Sequence, residues 1–151
     1  LYTRTLEKFF EMNVGSDFAQ LRDNAMKILQ KEAELKEIVQ LVGPDALKEE
    51  DKLLMYTAAR LREDFLQQLA TDEVDTYCPL KKQYLMLKLI MDTHKKALRL
   101  VDSGIKVGSI QALPLTELLG RMKYSKKYEE DIKKLEKERD KQFDNLAGEN
   151  K

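Results

Sequence analysis

Four carboxylates lie close together in the segment Asp45-Ala46-Leu47-Lys48-Glu49-Glu50-Asp51, directly after the pair Gly43-Pro44. The Gly-Pro pair is typical of a helix end, because glycine adopts the left-handed conformation that closes a helix and proline cannot continue one. We expect the Asp45 carboxylate to accept hydrogen bonds from free backbone N–H groups. The three later acids place negative charge at a helix start, where the helix dipole favours it. The segment predicts a tight turn with an acidic tip, serving either helix capping alone or contact with a basic partner.

Residues that could carry out catalysis or hold a metal are scarce. His94 is the single histidine, and Asp92 lies two positions away on a different helix face, so the two do not form a ligand pair. Cys78 has no nearby histidine or second cysteine to activate its thiol. The sequence lacks the Gly-x-x-x-x-Gly-Lys-Ser/Thr loop that cradles a triphosphate. We therefore predict no catalytic residue, no metal site and no bound cofactor in this stretch of chain.

The charge balance narrows the functional classes. Lys plus Arg and Asp plus Glu each number 27, giving a formal net charge of zero. This charge balance disfavours nucleic-acid binding, which needs a basic face.

The single cysteine excludes an internal disulfide and suits a reducing compartment. No apolar run is long enough to cross a membrane, and the first residues lack the apolar core of a signal peptide. The chain does not begin with methionine, so we expect a piece of a longer protein.

The acidic segment and the other polar residues discussed above must be positioned by helices. Charged residues make up 36% of the chain, with 6 glycines and 3 prolines, a composition that favours long solvated helices. Apolar residues recur at spacings of three and four along most of the chain, which predicts amphipathic helices. We predict an all-α antiparallel bundle of about five to seven helices in a single domain, residues 1–151. The predicted helices cover about 2–12, 17–42, 53–66, 79–102, a short segment from Pro114, and 125–145, with a loop over 71–79 and an unclear segment over 105–111.

Three details accompany this pattern. Ser16 or Asp17 is the predicted cap of the second helix, and the polar stretch Gln30–Glu34 within that helix is a candidate position for a bend. The last helix is strongly charged with a thin apolar stripe, so we expect an outer helix that touches the body along one edge. Most aromatic side chains lie on or near apolar helix faces and are predicted to pack in the core.

Several long strings are unusual enough to indicate a family. They are residues 29–47, the Arg-Glu-Asp-Phe-Leu-Gln-Gln of 62–68, the Asp-Glu-Val-Asp-Thr-Tyr-Cys-Pro of 72–79 and the Lys-Gln-Tyr of 82–84. In this order they resemble the C-terminal part of the catalytic A subunit of archaeal-type and vacuolar-type rotary ATPases, most closely the A-type branch. The resemblance covers nearly the whole chain and is least specific in the last helix.

The resemblance implies a three-part protein: a β-barrel, a P-loop nucleotide-binding domain and a C-terminal helical domain. Only the last resembles this chain. The implied partners are B subunits and the central-stalk subunits, in a complex on the cytoplasmic side of the membrane that couples ATP synthesis or hydrolysis to ion movement. ATP or ADP and Mg are implied for the intact subunit only. The chain alone is expected to be inactive and not to insert into the membrane.

The acidic turn then resembles the DELSEED segment of the F-type catalytic subunit. Position 46 is alanine where that motif has glutamate, and position 48 is lysine where it has serine, so four acids and one base leave a net charge of −3 here. The resemblance implies that the turn pushes on the central stalk through shape, apolar contact and charge. The residues expected to contact the stalk are Asp45, Leu47, Glu49, Glu50 and Asp51.

A second implied site is the adenine pocket. The family usually has Asn-Ala-Phe after the Phe-Leu-Gln-Gln string, and that phenylalanine helps to wall the adenine pocket. Here Thr71 occupies the aromatic position. Threonine has no π face for adenine to stack on, a loss of about 1–3 kcal/mol by analogy with base stacking. Tyr77 is a candidate substitute ring. We therefore expect weak or no adenine contact from this domain.

One alternative of a different class stays open at this point. A stand-alone helical adaptor that binds partner helices would show the same amphipathic stripes and the same acidic turn. A phosphate-binding loop several hundred residues upstream would favour the ATPase hypothesis, and a start codon just before Leu1 would favour the adaptor.

Overall fold

The computed structural model describes residues 16–66 and 80–149. Over these residues the fold is all-α, with six α-helices and no strand, which confirms the predicted class. The predicted helix over 2–12 and the predicted loop over 71–79 lie outside the described residues. The helices are α1 (Phe18–Val42), α2 (Glu49–Arg60), α3 (Leu80–Asp102), α4 (Val107–Gln111), α5 (Leu115–Arg121) and α6 (Tyr128–Glu149).

The first described helix, α1, is 25 residues long and buries a regular stripe. Its buried positions follow two heptad series, because seven residues make almost two helical turns. The helix continues without interruption through Gln30–Glu34, where the sequence suggested a bend, and Glu32 in this stretch is 5% exposed. The buried residues are Phe18, Leu21, Ala25, Ile28, Glu32 and Leu35.

The N-cap of α1 lies at a predicted position, but its side chain makes a different contact. Asp17 is the N-cap residue, but its side chain caps no described backbone group. Its Oδ1 instead accepts a hydrogen bond of 2.7 Å from the hydroxyl of Tyr84 on α3. The carboxylate therefore joins two helices, which the sequence could not indicate because the partner lies 67 residues away.

Helix α3 is the centre of the bundle and packs against α1, α2 and α6. One buried cluster unites α1, α2 and α3, and a second unites α2 and α3 with α4, α5 and α6. Met86, Leu87 and Leu89 are at most 1% exposed. Close packing of this kind makes a helical body move as a unit, because dense interiors resist continuous deformation.

The outer helix α6 lies against α3 and α5 as the thin stripe predicted. Ile132, Leu135 and Phe143 are buried, and so are Arg139 and Gln142 on the same stripe. Gln142 Oε1 accepts a 3.0 Å hydrogen bond from the backbone N–H of Leu115 at the start of α5. Within 16–66 and 80–149, the helices are too short or too polar to span a membrane.

Candidate functional site: an acidic corner between two helices

The connection between α1 and α2, residues 43–52, is a compact corner. Gly43 takes φ +90°, and its N–H donates to Val39 O at 2.8 Å, so the glycine closes α1 as predicted. Pro44–Ala46 form one turn of 3-10 helix, and the N–H of Leu47 donates to Pro44 O at 3.2 Å. Lys48 is extended, and α2 begins at Glu49. A positive φ here suits glycine because it has no Cβ to clash with the backbone.

Asp45 does not cap α2. It lies inside the 3-10 turn, and its carboxylate makes no hydrogen bond to a described residue. The N-cap residue is Lys48, which offers no side-chain cap among the described residues. The capping role predicted for Asp45 is wrong, because the 3-10 turn separates this residue from the free N–H groups of α2.

Two of the four acidic residues of the corner are exposed to solvent. Asp45 and Glu50 are exposed, and Glu49 and Asp51 are half-buried. Glu49, Glu50 and Asp51 form the first turn of α2, where negative charge is favoured by the helix dipole. Among the described residues only Glu49 has a cation within ion-pair range, Lys52 at 4.0 Å. The remaining charge is available to a partner.

Two residues fix the corner to the body. Leu47 is 8% exposed, so its side chain packs inward and the corner offers its carboxylates rather than this leucine at the surface. Glu49 Oε2 lies 3.5 Å from the backbone N of Val107, at the first residue of α4. The stalk contacts predicted for the corner residues stay a prediction. The adenine-pocket position Thr71 and the nearby Tyr77 lie outside the described residues.

A second group of charges, which the sequence did not single out, lies between α1 and the turn that follows α2. Glu32 Oε2 accepts a 2.7 Å hydrogen bond from Arg62, and Glu32 Oε1 lies 3.7 Å from Lys36 Nζ. Its side chain is 6% exposed, against 42% for Arg62. Heptad spacing from Phe18 and Ala25 reaches Glu32 and could have revealed its burial.

The segment after α2, Leu61–Leu66, is a short π-helix, and two of its acids lie near Arg60, the last residue of α2. Arg60 reaches Glu63 at 2.8 Å and Asp64 at 3.3 Å. Asp64 is 2% exposed, and burial raises the pKa of its carboxyl group, with partial offset from Arg60 and Lys123. We use the name inner charge cluster for two separate groups together: Glu32, Lys36 and Arg62, which lie on and against α1, and Arg60, Glu63 and Asp64, of which Asp64 lies beside α5.

The apolar face predicted for the helix over 53–66 is largely confirmed. Leu53, Ala58 and Leu61 are at most 1% exposed, and Phe65 packs against the core. Leu66 differs, because it is 42% exposed, and the charged Asp64 is 2% exposed beside Gly120. Asp64 lies three and eleven positions after the buried Leu61 and Leu53, so helical spacing places it on the core face.

His94 is half-buried on α3. Its Nδ1 lies 2.6 Å from the Oγ1 of Thr57, which joins α3 to α2. Burial lowers the pKa of His94, which favours the neutral form of the ring. Over the parts of the chain that the structure describes, no group of three His, Cys, Asp or Glu side chains is arranged to hold a metal ion.

Comparison with known proteins places this arrangement in a family. Residues 7–110 match the model of the C-terminal domain of V and A type ATP synthase. The A subunit of the A-type ATP synthase from Methanopyrus kandleri is 47% identical over 151 residues, covering 99% of this chain and 26% of that protein. The subunit of the same name from Methanococcus vannielii is 48% identical over 91% of this chain. The subunit from Thermococcus sp. strain KI is 44% identical over 97% of this chain.

The matches cover nearly all of this chain but only part of each relative. The chain spans about a quarter of the length of the curated relatives it matches, 26% in the Methanopyrus protein and 25% in the other two. The family model that matches describes a C-terminal domain. The chain belongs to the family of C-terminal domains of V- and A-type ATP synthases, within the A subunit of the A-type enzyme.

Proposed function

We propose that this domain transmits motion between the central stalk of a rotary ATP synthase and an ATP-handling module of a longer A subunit. The acidic corner is the point of contact with the stalk. One observation carries the proposal: a solvent-exposed set of carboxylates is held at the end of a rigid helical pair, α1 and α2. The domain contributes no catalytic residue, and the ATPase or synthase activity belongs to the assembled complex.

The packing supports transmission of force. Helices α1 and α2 share a buried cluster with α3, and Leu53 and Ala58 of α2 are 0% exposed. Glu49 connects the corner to α4. A displacement of the body would therefore move the corner with it, since packed helices shift as units.

The charge of the corner supports a basic partner. Rim charges of this kind accelerate encounter and fix register more than they set affinity. We propose central-stalk subunits and neighbouring B subunits as the partners, with the complex on the cytoplasmic side of the membrane.

The corner can be tested by neutralising its two exposed acids. Asp45→Asn and Glu50→Gln remove the charge of each side chain and keep its shape. Substitution of residues 49–51 by lysine is less suitable, because it would also place positive charge at the start of α2, where the helix dipole disfavours it. In a complex assembled with the full-length A subunit, the double variant should bind the stalk about twofold to tenfold more weakly at low salt, with a shallower salt dependence. The matched control is Glu34→Gln with Glu37→Gln, two exposed acids of α1. Equal affinity and equal salt dependence in both complexes would contradict the proposal.

We also propose that this domain contributes little to adenine binding, because Thr71 replaces the aromatic residue that the family has there. Calorimetric titration of the isolated chain with ATP or ADP should show no saturable binding. Thr71→Phe in the full-length subunit should tighten nucleotide binding, by up to the stacking contribution of about 1–3 kcal/mol. Tight nucleotide binding by the unmodified chain would refute this proposal.

A further inference from the structure

The connection between α5 and α6 is strongly basic. The segment Arg121-Met122-Lys123-Tyr124-Ser125-Lys126-Lys127 holds four bases and no acid, in a chain whose net charge is zero. We call residues 121–127 the basic turn. Lys126 and Lys127 are exposed, and among the described residues no carboxylate lies within ion-pair range of either. Their charge is therefore available to an acidic partner.

Tyr124 lies at the centre of the basic turn and is 75% exposed. Its ring lies 5.4 Å from Lys123 Nζ, measured at the ring centroid. The side chain borders two grooves, one between the end of α2 and α5 and the other between α5 and α6. Tyrosine is enriched at the energetic centres of interfaces, because its ring buries a large area and its hydroxyl offers one polar group.

A buried lysine holds the backbone on both sides of Tyr124. Lys82 on α3 is 7% exposed, and its Nζ donates to Lys123 O at 3.3 Å and to Ser125 O at 3.0 Å. Within the described residues, no carboxylate lies within ion-pair range of this ammonium group. Burial of a lysine is costly unless hydrogen bonds satisfy its ammonium group, so these two bonds must persist in the folded state. They fix the turn that presents Tyr124, and a fixed side chain loses little entropy on binding.

The basic turn and the acidic corner lie at opposite ends of α3. Lys82 is close to the first residue of α3, whereas the corner contacts Val107, just after α3 ends. Helix α3 has 23 residues and is therefore about 35 Å long. The chain enters α1 at the same end as the basic turn, because Asp17 is hydrogen-bonded to Tyr84, two residues after Lys82.

The relatives indicate which partner is available at that end. The matching family model describes a C-terminal domain, and this chain spans 26% of the Methanopyrus subunit, so most of such a subunit precedes this domain. We infer that Tyr124 and the basic turn form a docking surface for the preceding, ATP-handling part of a longer A subunit. The complementary surface is an apolar pocket with Asp or Glu at its rim. This inference rests on the proposed function, since it assigns the end of the domain that receives the motion.

The test places an aromatic photo-cross-linking side chain at position 124 of the full-length A subunit in the assembled complex. We expect a cross-link within the same subunit, to one segment before this domain that carries Asp or Glu beside apolar residues. Lys141 is the matched control position, because it is exposed on α6 and lies about 20 Å along that helix from Tyr128. Position 141 should give no such cross-link. No capture at position 124, or capture of a B subunit or a stalk protein, overturns the inference.

The role of the charges is tested with the cross-linker in place. Lys126→Gln with Lys127→Gln should lower the cross-linking yield about twofold to fivefold at low salt and little at high salt, because exposed charges are screened. Lys133→Gln with Lys137→Gln, two exposed bases of α6, is the control and should leave the yield unchanged. Equal yields in both double variants would contradict an acidic rim on the partner.

The role of Lys82 is tested by Lys82→Met, which keeps a long side chain and removes the donors that hold the turn. The cross-link should then spread over several segments, which a loss of stability alone would not produce. Lys81→Met is the control, because the Lys81 side chain is 49% exposed, and it should keep the single cross-linked segment. Thermal unfolding checks that each variant is folded. An unchanged single segment in Lys82→Met would overturn the positioning role of Lys82.

These results are distinguishable from a test of the corner. If position 124 gives no cross-link to the preceding part but neutralising Asp45 and Glu50 still weakens stalk binding, the inference is overturned and the proposed function stays in place. If the cross-link forms as expected but neutralising the corner has no effect, the docking surface is supported and the proposed stalk contact is contradicted.

Discussion

The acidic corner and the inner charge cluster use the same residue types on neighbouring segments, with opposite results. In the corner, Asp45 and Glu50 are exposed and have no cation within ion-pair range among the described residues. In the inner charge cluster, Glu32 and Asp64 are 5% and 2% exposed, and each pairs with an arginine. Burial and pairing decide whether a carboxylate holds the fold together or remains available to a partner.

Removing a carboxylate is expected to change the stability of the fold more in the inner charge cluster than in the corner. Removing one member of a buried ion pair leaves the other desolvated and unpaired, which is strongly destabilising. Exposed carboxylates are screened by solvent and salt, so their removal changes the stability of the fold little. Mutations can therefore separate the two groups by comparing the free energy of unfolding with the affinity for a partner.

The largest effect on stability is expected at Glu32. Glu32→Ala should lower the free energy of unfolding by about 1–3 kcal/mol, below the full cost of breaking a buried pair, because Arg62 is 42% exposed and can recover water. Urea denaturation of the chain measures the change. Glu34→Ala, on the same helix with an exposed partner in Lys31, is the control and should change stability by less than about 0.5 kcal/mol. Equal effects at the two positions would remove the distinction between the two groups of charges.

A pH-dependent effect is expected at Asp64. Burial holds the pKa of this carboxyl group above its unfolded value, so the folded state binds the proton more tightly. The stability that this group contributes is full below the unfolded pKa and is lost as pH rises through the folded pKa. The stability of the unmodified chain relative to Asp64→Asn should therefore increase as pH falls from about 7 towards about 4.

Asp140 should show the opposite pH dependence of stability from Asp64. Burial raises the pKa of Asp140, but hydrogen bonds from Lys96 and Arg139 outweigh burial and lower it overall. The contribution of Asp140 to the free energy of unfolding is present above the pKa that this group has in the unfolded chain, and it is lost as pH falls. The advantage of the unmodified chain over Asp140→Asn should decrease on acidification. A difference of the same sign at Asp64 and Asp140 would contradict the assignment of burial as the dominant cause at Asp64.

The smallest effect on stability is expected at the corner. Asp45→Asn with Glu50→Gln should lower the free energy of unfolding by less than about 1 kcal/mol, the contribution of one acid to the dipole of α2. Denaturation under the same conditions as for Glu32→Ala gives a direct comparison. A loss as large as that at Glu32 would mean that the corner acids stabilise the fold instead of facing a partner.

The sequence predicted the elements that depend on regular apolar spacing. The stripes of α1, α3 and α6 and the short helix after Pro114 were confirmed, because three-to-four spacing reports directly on a helix face. The acidic turn was located correctly from Gly43-Pro44, whose backbone preferences are local. The family followed from long strings of residues, and the comparisons confirmed it.

The sequence missed features that depend on distant partners or on irregular backbone. Glu32 and Arg139 interrupt apolar stripes and are buried because Arg62 and Thr93 supply hydrogen-bond partners from other helices. Heptad counting reaches both positions, but a rule that expects apolar residues on a core face passes over them. The same rule passes over Asp64, which lies three positions after the buried Leu61 and pairs with Arg60.

The proposed transfer of force between this domain and the stalk, through the acidic corner, can be tested by single-molecule rotation of the ATP-driven complex. The informative variant combines Asp45→Asn and Glu50→Gln in the full-length A subunit. We predict reduced stalk torque, with unchanged ATP hydrolysis by the ring of A and B subunits assembled without the stalk. Torque equal to that of the unmodified complex would contradict a role for the corner in force transfer.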